Sequence, residues 1–230
     1  MTEYFAYGSD ATDYLKAKDK KMRTVIERVG HIDRPVDTDL FSSVMHHIIG
    51  QQISTKAQET IWKRMQQDLG AVTPETVAAA GIDRLQSYGT TFRKAGYLAD
   101  FAQKVRSGAF DLEALRNLPD AEAVAALASL KGIGVWTAEM ILLFCLQRPD
   151  VFSYDDLAIQ RGLRMTYRHR RIDRSLFERY RRRFHPYGSV ASLYLWAVAC
   201  GAIPEWTDPA VRKGTARQRV RKDKEKEAKP

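Results

Sequence analysis

The chain has 230 residues, 44% apolar and 10% aromatic, with a net charge of +9, which suits one large domain or two small ones and leaves room for a real core. No run approaches the ~18 apolar residues that cross a bilayer, and the N-terminal stretch has an acid at its third position and no apolar h-region, so neither a membrane span nor a secretory signal is expected. Cys145 and Cys200, the two cysteines, each sit in an apolar run, which excludes a four-cysteine iron–sulfur or Cys-based zinc site within this chain and leaves buried free thiols and a reducing compartment as the expectation.

In chain order, nearly every periodic segment has helical spacing. Ile53, Ala57, Ile61, Met65 and Leu69 fall four apart and form one apolar stripe, with Ser54 as N-cap and Gly70 as stop. Trp62 is expected to pack behind that stripe, and His46 and His47 read as a helix-surface pair. Thr73 and Pro74 read as the cap and first position of the next helix. "FRKAGYLADFAQKV" repeats apolar residues at Phe92, Ala95, Leu98, Ala102 and Val105 until Gly108 breaks it. "DAEAVAALASL" is expected to be capped by Asp120, and "MILLFCL", flanked by Glu139 and Arg148, reads as a buried helix. "DRSLFERYRRRF" is capped by Asp173, and "SVASLYLWAVACGA" reads as a central apolar helix. No segment sustains period-two alternation with β-branched residues. The expectation is an all-α protein of about ten helices.

The positive charge is concentrated. Residues 211–230 carry nine Lys/Arg against three acids without apolar spacing, and are expected to be a disordered tail, either solubilising or attracted to nucleic acid. Residues 164–183 hold nine Arg, no Lys and two acids, interleaved with Tyr167 and Tyr180. A solvated helix face accommodates such a run, but so many arginines weight the reading toward a phosphate-facing surface.

Two stretches carry chemistry. In "LKGIGVWTAEMILLF", Gly132 and Gly134 let the backbone turn tightly between two helices, and the helix beginning at about Val135 turns its free N–H groups and positive dipole end outward. That is either a plain corner or a phosphate site. In "RPDVFSYDDLAIQRGL", Asp155 and Asp156 open a helix. One acid suffices as a cap. The other, beside Phe152, Tyr154 and Leu157, would be partly desolvated, as reactive carboxylates often are.

Taken together, these stretches resemble the helix-hairpin-helix DNA glycosylases, which have a Gly-rich hairpin followed by an essential Asp. "GIGVWTAEMILLF" with "RPDVFSYDDL", "IIGQQIS" at 48–54 and, more loosely, "HPYGSVASLYLWA" at 185–197 are similar to the alkylation-repair branch, DNA-3-methyladenine glycosylase II. The resemblance spans about residues 20–203. It implies two helical lobes with a DNA-binding cleft between them. Residues 1–41 and 140–210 would form one lobe and 42–139 the other, with the helix-hairpin-helix at about 120–146.

The resemblance also implies roles. Asp156 matches the catalytic acid, leaving Asp155 as helper or helix cap. Trp136, Met140, Trp196 and Tyr154 would form the base pocket. Gln52 matches the wedge that fills the gap left by a flipped nucleotide. Gln51, Lys131, Gly132, Ile133, Gly134, Thr137 and Arg161 would meet DNA. The carbonyls of Leu130 and Ile133 would hold a monovalent cation, Na or K, as a structural ion, and the chemistry itself would need no cofactor. The partner implied is double-stranded DNA with alkylated bases, bound by a monomer, in the cytoplasm with the nucleoid or in a nucleus. Three departures stand out. Trp136 occupies the position of the Schiff-base Lys of bifunctional members, so strand cleavage is not expected. Met140 stands where a Tyr is common, and Gly188 where an Arg is common, which puts the pocket shape and one nucleotide contact in doubt. A non-catalytic hairpin module, a glycosylase for other damaged bases and a helical interaction scaffold are the competing readings.

Overall fold

The computed structural model describes residues 2–210, and the basic segment 211–230 lies outside the described residues. Among the described residues there are twelve α-helices: α1 (Ser9–Lys18), α2 (Lys20–Val29), α3 (Leu40–Gly50), α4 (Thr55–Leu69), α5 (Pro74–Ser87), α6 (Phe92–Arg106), α7 (Leu112–Asn117), α8 (Asp120–Ala128), α9 (Val135–Phe144), α10 (Leu157–Tyr167), α11 (Arg174–Phe184) and α12 (Gly188–Ala199). Among the described residues, β pairing is limited to one isolated antiparallel bridge between Tyr4 and Pro35. The all-α expectation holds.

The helix boundaries follow local chemistry. Ser54 accepts from the Ala57 N–H at 3.3 Å, and Gly70, at φ 70°, ends α4 in a conformation that favours glycine. Thr73 and Thr76 form a reciprocal capping box ahead of Pro74. Asp173 caps α11 through the Leu176 N–H. Asp120 is not a cap, because α8 already includes it and the N-cap is Pro119. Its charge sits in the first turn, where the helix dipole favours an acid, 3.5 Å from Arg148. Two apolar stripes start later than their periodicity suggests. Ile53 lies in the turn before α4 and is exposed, and Phe92, the first residue of α6, is 61% exposed, because neither has a preceding helical turn to pack beneath.

α1 and α2 pack with α12, and α1 also with α11; α2 and α12 both pack with α10. α3 packs with α4, α6 and α9, and α5 with α6. Helix α12 is buried along most of its length. Gly162 of α10 lies so close to it that a Cβ there would come 2.3 Å from the Leu195 carbonyl oxygen. Two buried serines of α12 pin the connector that precedes the acid pair: Ser189 Oγ accepts from Val151 N–H at 2.9 Å, and Ser192 Oγ donates to the Val151 carbonyl at 3.1 Å. Fully buried Phe152 stacks on Phe177 with ring centroids 4.7 Å apart. Burying a side chain of that size contributes about 1.5–3 kcal/mol, so the connector's path is fixed by packing as well as by hydrogen bonds.

Five of the nine arginines in the Arg-rich block are engaged within the fold. Arg164 makes a two-pronged pair with Asp208 at 2.9 and 2.6 Å. Arg168 donates to the Thr207 carbonyl at 3.3 Å. Arg174 and Arg181 both reach Glu178, and Arg183 pairs with the buried Asp19, the cap of α2, at 2.7 Å. A run that reads as a phosphate-facing surface thus in part ties α11 to the start of α2 and α10 to the chain near Asp208.

Candidate active site

Helices α8 and α9 form the hairpin, with Leu130 to Gly134 as the turn. Gly132 takes φ 87°, and a Cβ there would fall 2.4 Å from the Tyr97 ring, so both conformation and space call for glycine. Gly134 is the N-cap of α9 and offers no side chain to the first N–H groups, which leaves that helix end able to meet an anion. The turn is tied to the "GQQIS" segment. Gln51 Nε2 donates to the Gly132 carbonyl at 2.6 Å, and Lys94 Nζ donates to the Gln51 and Ile49 carbonyls at 2.6 and 2.8 Å. Gln52 stands exposed beside this tether at φ 59°, a left-handed conformation uncommon for a residue with a Cβ. Lys131 is exposed and paired with Asp100 at 3.1 Å, while Ile133 and Thr137 are buried.

The acid pair divides by position. Asp155 is exposed. Asp156 is 6% exposed and is itself the N-cap of α10, which corrects the expectation that Asp155 would cap. Its Oδ1 accepts from the N–H groups of Ala158 at 2.9 Å and Ile159 at 2.8 Å, and from Trp196 Nε1 at 3.0 Å. Its Oδ2 accepts from Trp136 Nε1 at 3.0 Å. An ionised carboxylate is acceptor-only with about four lone-pair sites, so Oδ1 is filled by three donors and Oδ2 keeps capacity for one more. The capping role and an oxygen with spare acceptor capacity coexist in one side chain.

The apolar neighbours of the acid differ from those its sequence suggests. Leu157 is 79% exposed, Phe152 is turned into the core, and Tyr154 packs edge-on against Phe177 with Arg174 above its ring. Tyr154 is therefore not a pocket wall. Two tryptophans on α9 and α12 enclose the acid instead. Trp136 is 43% exposed. Trp196 stacks on Phe144, with centroids 5.4 Å apart and planes 25° from parallel. Arg161 is exposed on α10, with its Nε 4.0 Å from Asp208.

Asp156, Trp136, Met140 and Trp196 line one cavity of about 940 Å³. Other lining residues were not foreseen. Trp62 and Gln66 of α4 and His46 and His47 of α3 face it, so Trp62 is not simply core and the histidines are not a surface pair. Cys200 also lines it and is exposed, contrary to the buried-thiol expectation, whereas Cys145 is buried and its thiol is pushed up to about 12 by burial. A signal for Trp62 did exist. Trp62 and Gln66 sit one position off the Ile61–Met65 stripe and so share a neighbouring face of α4. Beneath the site, Glu139 accepts a hydrogen bond from Ser153 Oγ, and burial raises its carboxyl above the ordinary range.

A hairpin with a bare helix N-terminus thus stands beside an enclosed carboxylate in a tryptophan-lined cavity. The HhH-GPD superfamily of base excision DNA repair proteins matches residues 45–186, and the chain belongs to that superfamily. DNA-3-methyladenine glycosylase 1 of Schizosaccharomyces pombe is 27% identical over 204 residues, covering 85% of this chain and 89% of its own. A Bacillus subtilis relative is 28% identical and is spanned over 59% of its length, with 70% of this chain covered. The crystal structure of a DNA-3-methyladenine glycosidase from Bacillus halodurans superposes with a TM-score of 0.80 at 32% identity, over 89% of this chain and 95% of that one.

Proposed function

We propose that this protein is a monofunctional DNA glycosylase that binds double-stranded DNA, flips out alkylated purines of the 3-methyladenine class and hydrolyses the N-glycosidic bond. The observation that carries the proposal is the Asp156 carboxylate, buried yet lining a cavity of about 940 Å³ between two indoles that donate to it. A structure of the S. pombe 3-methyladenine DNA glycosylase in complex with abasic DNA, 25% identical with a TM-score of 0.72 over 86% of this chain and 99% of that one, supports DNA as the partner.

Flipping costs a few kcal/mol, less for a damaged base. The N-terminus of α9 would hold a phosphate through its N–H groups, and Gln52 would fill the vacated stack. A purine alkylated at N3 or N7 carries positive charge, which the faces of Trp136 and Trp196 favour by roughly 0.5–2 kcal/mol. Such a base already leaves readily. Asp156 Oδ2, the oxygen with spare capacity, would face the oxocarbenium-like sugar and orient or deprotonate the attacking water, giving free base and an abasic site. Trp136 carries no amine, so no Schiff base forms and the strand stays intact.

The tethered turn would be steadied further by a monovalent cation on the hairpin carbonyls of Leu130 and Ile133. The Leu130 carbonyl accepts from the Ile133 N–H at 3.1 Å and keeps one lone pair for such an ion. The packing of α1 and α2 with α10 to α12, and of α3 with α4, α6 and α9, supports the two-lobe division with the cavity between.

The test is incubation with methylated duplex DNA and chromatography of the released bases. Release of 3-methyladenine, with strand breaks only after alkali, is expected. No base release, or a borohydride-trapped protein–DNA adduct, would overturn the proposal.

A further inference from the structure

The mechanism leaves one polar pair in the cavity unused. His46 Nδ1 lies 2.9 Å from Asp37 Oδ2, and both residues line the same cavity as Asp156. The pair is held from several sides. The Asp37 N–H donates to the Phe144 carbonyl at the end of α9 at 3.1 Å. The His46 carbonyl accepts from Gln58 Nε2 at 2.8 Å, and its ring meets Trp62 at a tilt of 57° with centroids 3.9 Å apart. A carboxylate can only accept, so Asp37 places the ring proton on Nδ1. In the neutral ring Nε2 is then an acceptor, and it meets no hydrogen-bond partner among the described residues.

We infer that His46, with its tautomer set by Asp37, reads the six-position of the flipped purine as a hydrogen-bond acceptor and so selects 6-amino over 6-oxo alkylpurines. This rests on the glycosylase reading above. Asp156 must stand at the glycosidic end of the nucleotide. The purine edge farthest from that bond is the six-membered ring, and His46 reaches the cavity from a different element, α3. An amino group at C6 donates to Nε2, whereas an oxygen there would oppose its lone pair. Asp37 is a positioning residue: it acts on the base only through the imidazole.

Methylated duplex DNA supplies both classes in one tube, 3-methyladenine with a 6-amino group and 7-methylguanine with a 6-oxygen. The readout is the ratio of their release rates by the full chain. One net hydrogen bond is worth about fivefold, so His46→Phe should lower the 3-methyladenine to 7-methylguanine ratio by about that factor. Asp37→Asn, which frees the tautomer, should lower it in the same direction. His46→Gln retains an acceptor oxygen and should keep most of the preference. A partly unfolded variant would slow both bases together and leave the ratio untouched. If the wild type releases neither base, the glycosylase reading falls and takes this inference with it. If it releases both and the ratio is unmoved in His46→Phe and Asp37→Asn, the role of His46 falls and the glycosylase reading stands.

Discussion

Asp156 combines a helix cap with the proposed chemistry, and two substitutions separate these roles. Asn is as good an N-cap as Asp, so Asp156→Asn retains an oxygen for the Ala158, Ile159 and Trp196 donors. Its amide then turns toward Trp136 Nε1, which donates to Oδ2 at 3.0 Å, and that bond is lost. Trp136 is 43% exposed, so water takes up much of the loss. The cost is about 1 kcal/mol, a fall in Tm of about 2–4 °C for a chain of this size. The effect on chemistry is larger. A unit negative charge ~4 Å from a positively charged sugar is worth about 4 kcal/mol at an effective dielectric of 20, or roughly a thousandfold in rate. Asp156→Ala removes the charge and the cap, about 1 kcal/mol, and leaves the half-buried Trp196 N–H without its acceptor, about 1–3 kcal/mol. Its Tm should drop on the order of 10 °C. Thermal melts with single-turnover release of 3-methyladenine measure both. Asn should be near wild type in stability and about a thousandfold slower, with DNA binding retained. An Asn variant within about tenfold of wild-type rate would refute the electrostatic argument, and an Ala variant melting no lower than Asn would refute the capping one.

Gly162→Ala brings a Cβ to 2.3 Å from the Leu195 carbonyl oxygen, a backbone atom that cannot swing aside, so a loss of about 3 kcal/mol is expected in urea titration; a variant with wild-type stability would show that α10 and α12 separate freely. Desolvation, followed by the nearby His46, lowers the His47 pKa, against opposing contributions from the Ser43 carbonyl and Asp37. The unfolded chain then binds this proton more readily, so His47's share of stability is intact above about pH 6.5 and is lost as pH falls below it. His47→Gln should flatten the fall in urea midpoint as pH drops below about 6.5, and an unchanged slope would assign it to other groups. Native protein should react with Ellman's reagent at one thiol, the exposed Cys200, and at both cysteines once denatured, since the buried Cys145 thiol is held at about 12; two fast native thiols would contradict that burial.

What sequence exposed, and what it hid, follows from the range of each interaction. Caps at Ser54, Thr73 and Asp173 were legible because a cap is a bond between residues two or three apart. The hairpin glycines were legible for the same reason. The division of the acid pair was not. Which of two adjacent acids caps α10 depends on where the Val151–Ser153 connector is anchored, and two serines some forty residues later, Ser189 and Ser192, anchor it. Part of the Arg block is engaged at long range: Arg183 pairs with Asp19 and Arg164 with Asp208, both far away in the chain, so charge counted within a twenty-residue window overstates charge free at the surface. The kink of α5 at Gly81, φ 75°, was likewise silent among alanines that favour an unbroken helix. Trp62 was hidden by a choice of face, since one residue separates a core position from a cavity wall on a helix.

The identity of residue 136 then joins the two motifs. A side chain two positions past Gly134 sits in the first turn of α9, close enough to the start of α10 for its indole to donate to Asp156. The same position in strand-cleaving relatives is expected to carry an amine that attacks the sugar. An indole there cannot attack. It fixes one carboxylate oxygen while offering an aromatic face to the cavity. Trp196 fixes the other oxygen from α12, so the carboxylate is clamped by elements on either side of it in sequence. With Oδ1 filled by three donors and Oδ2 by one, the plane of the carboxylate and the oxygen left for chemistry are set before any substrate arrives. A site that meets a labile cationic base needs a fixed negative charge more than a proton donor or a nucleophile. Tryptophan at this position supplies that fixity in place of an amine, so under the proposed function one residue both orients Asp156 and leaves no amine for a Schiff base.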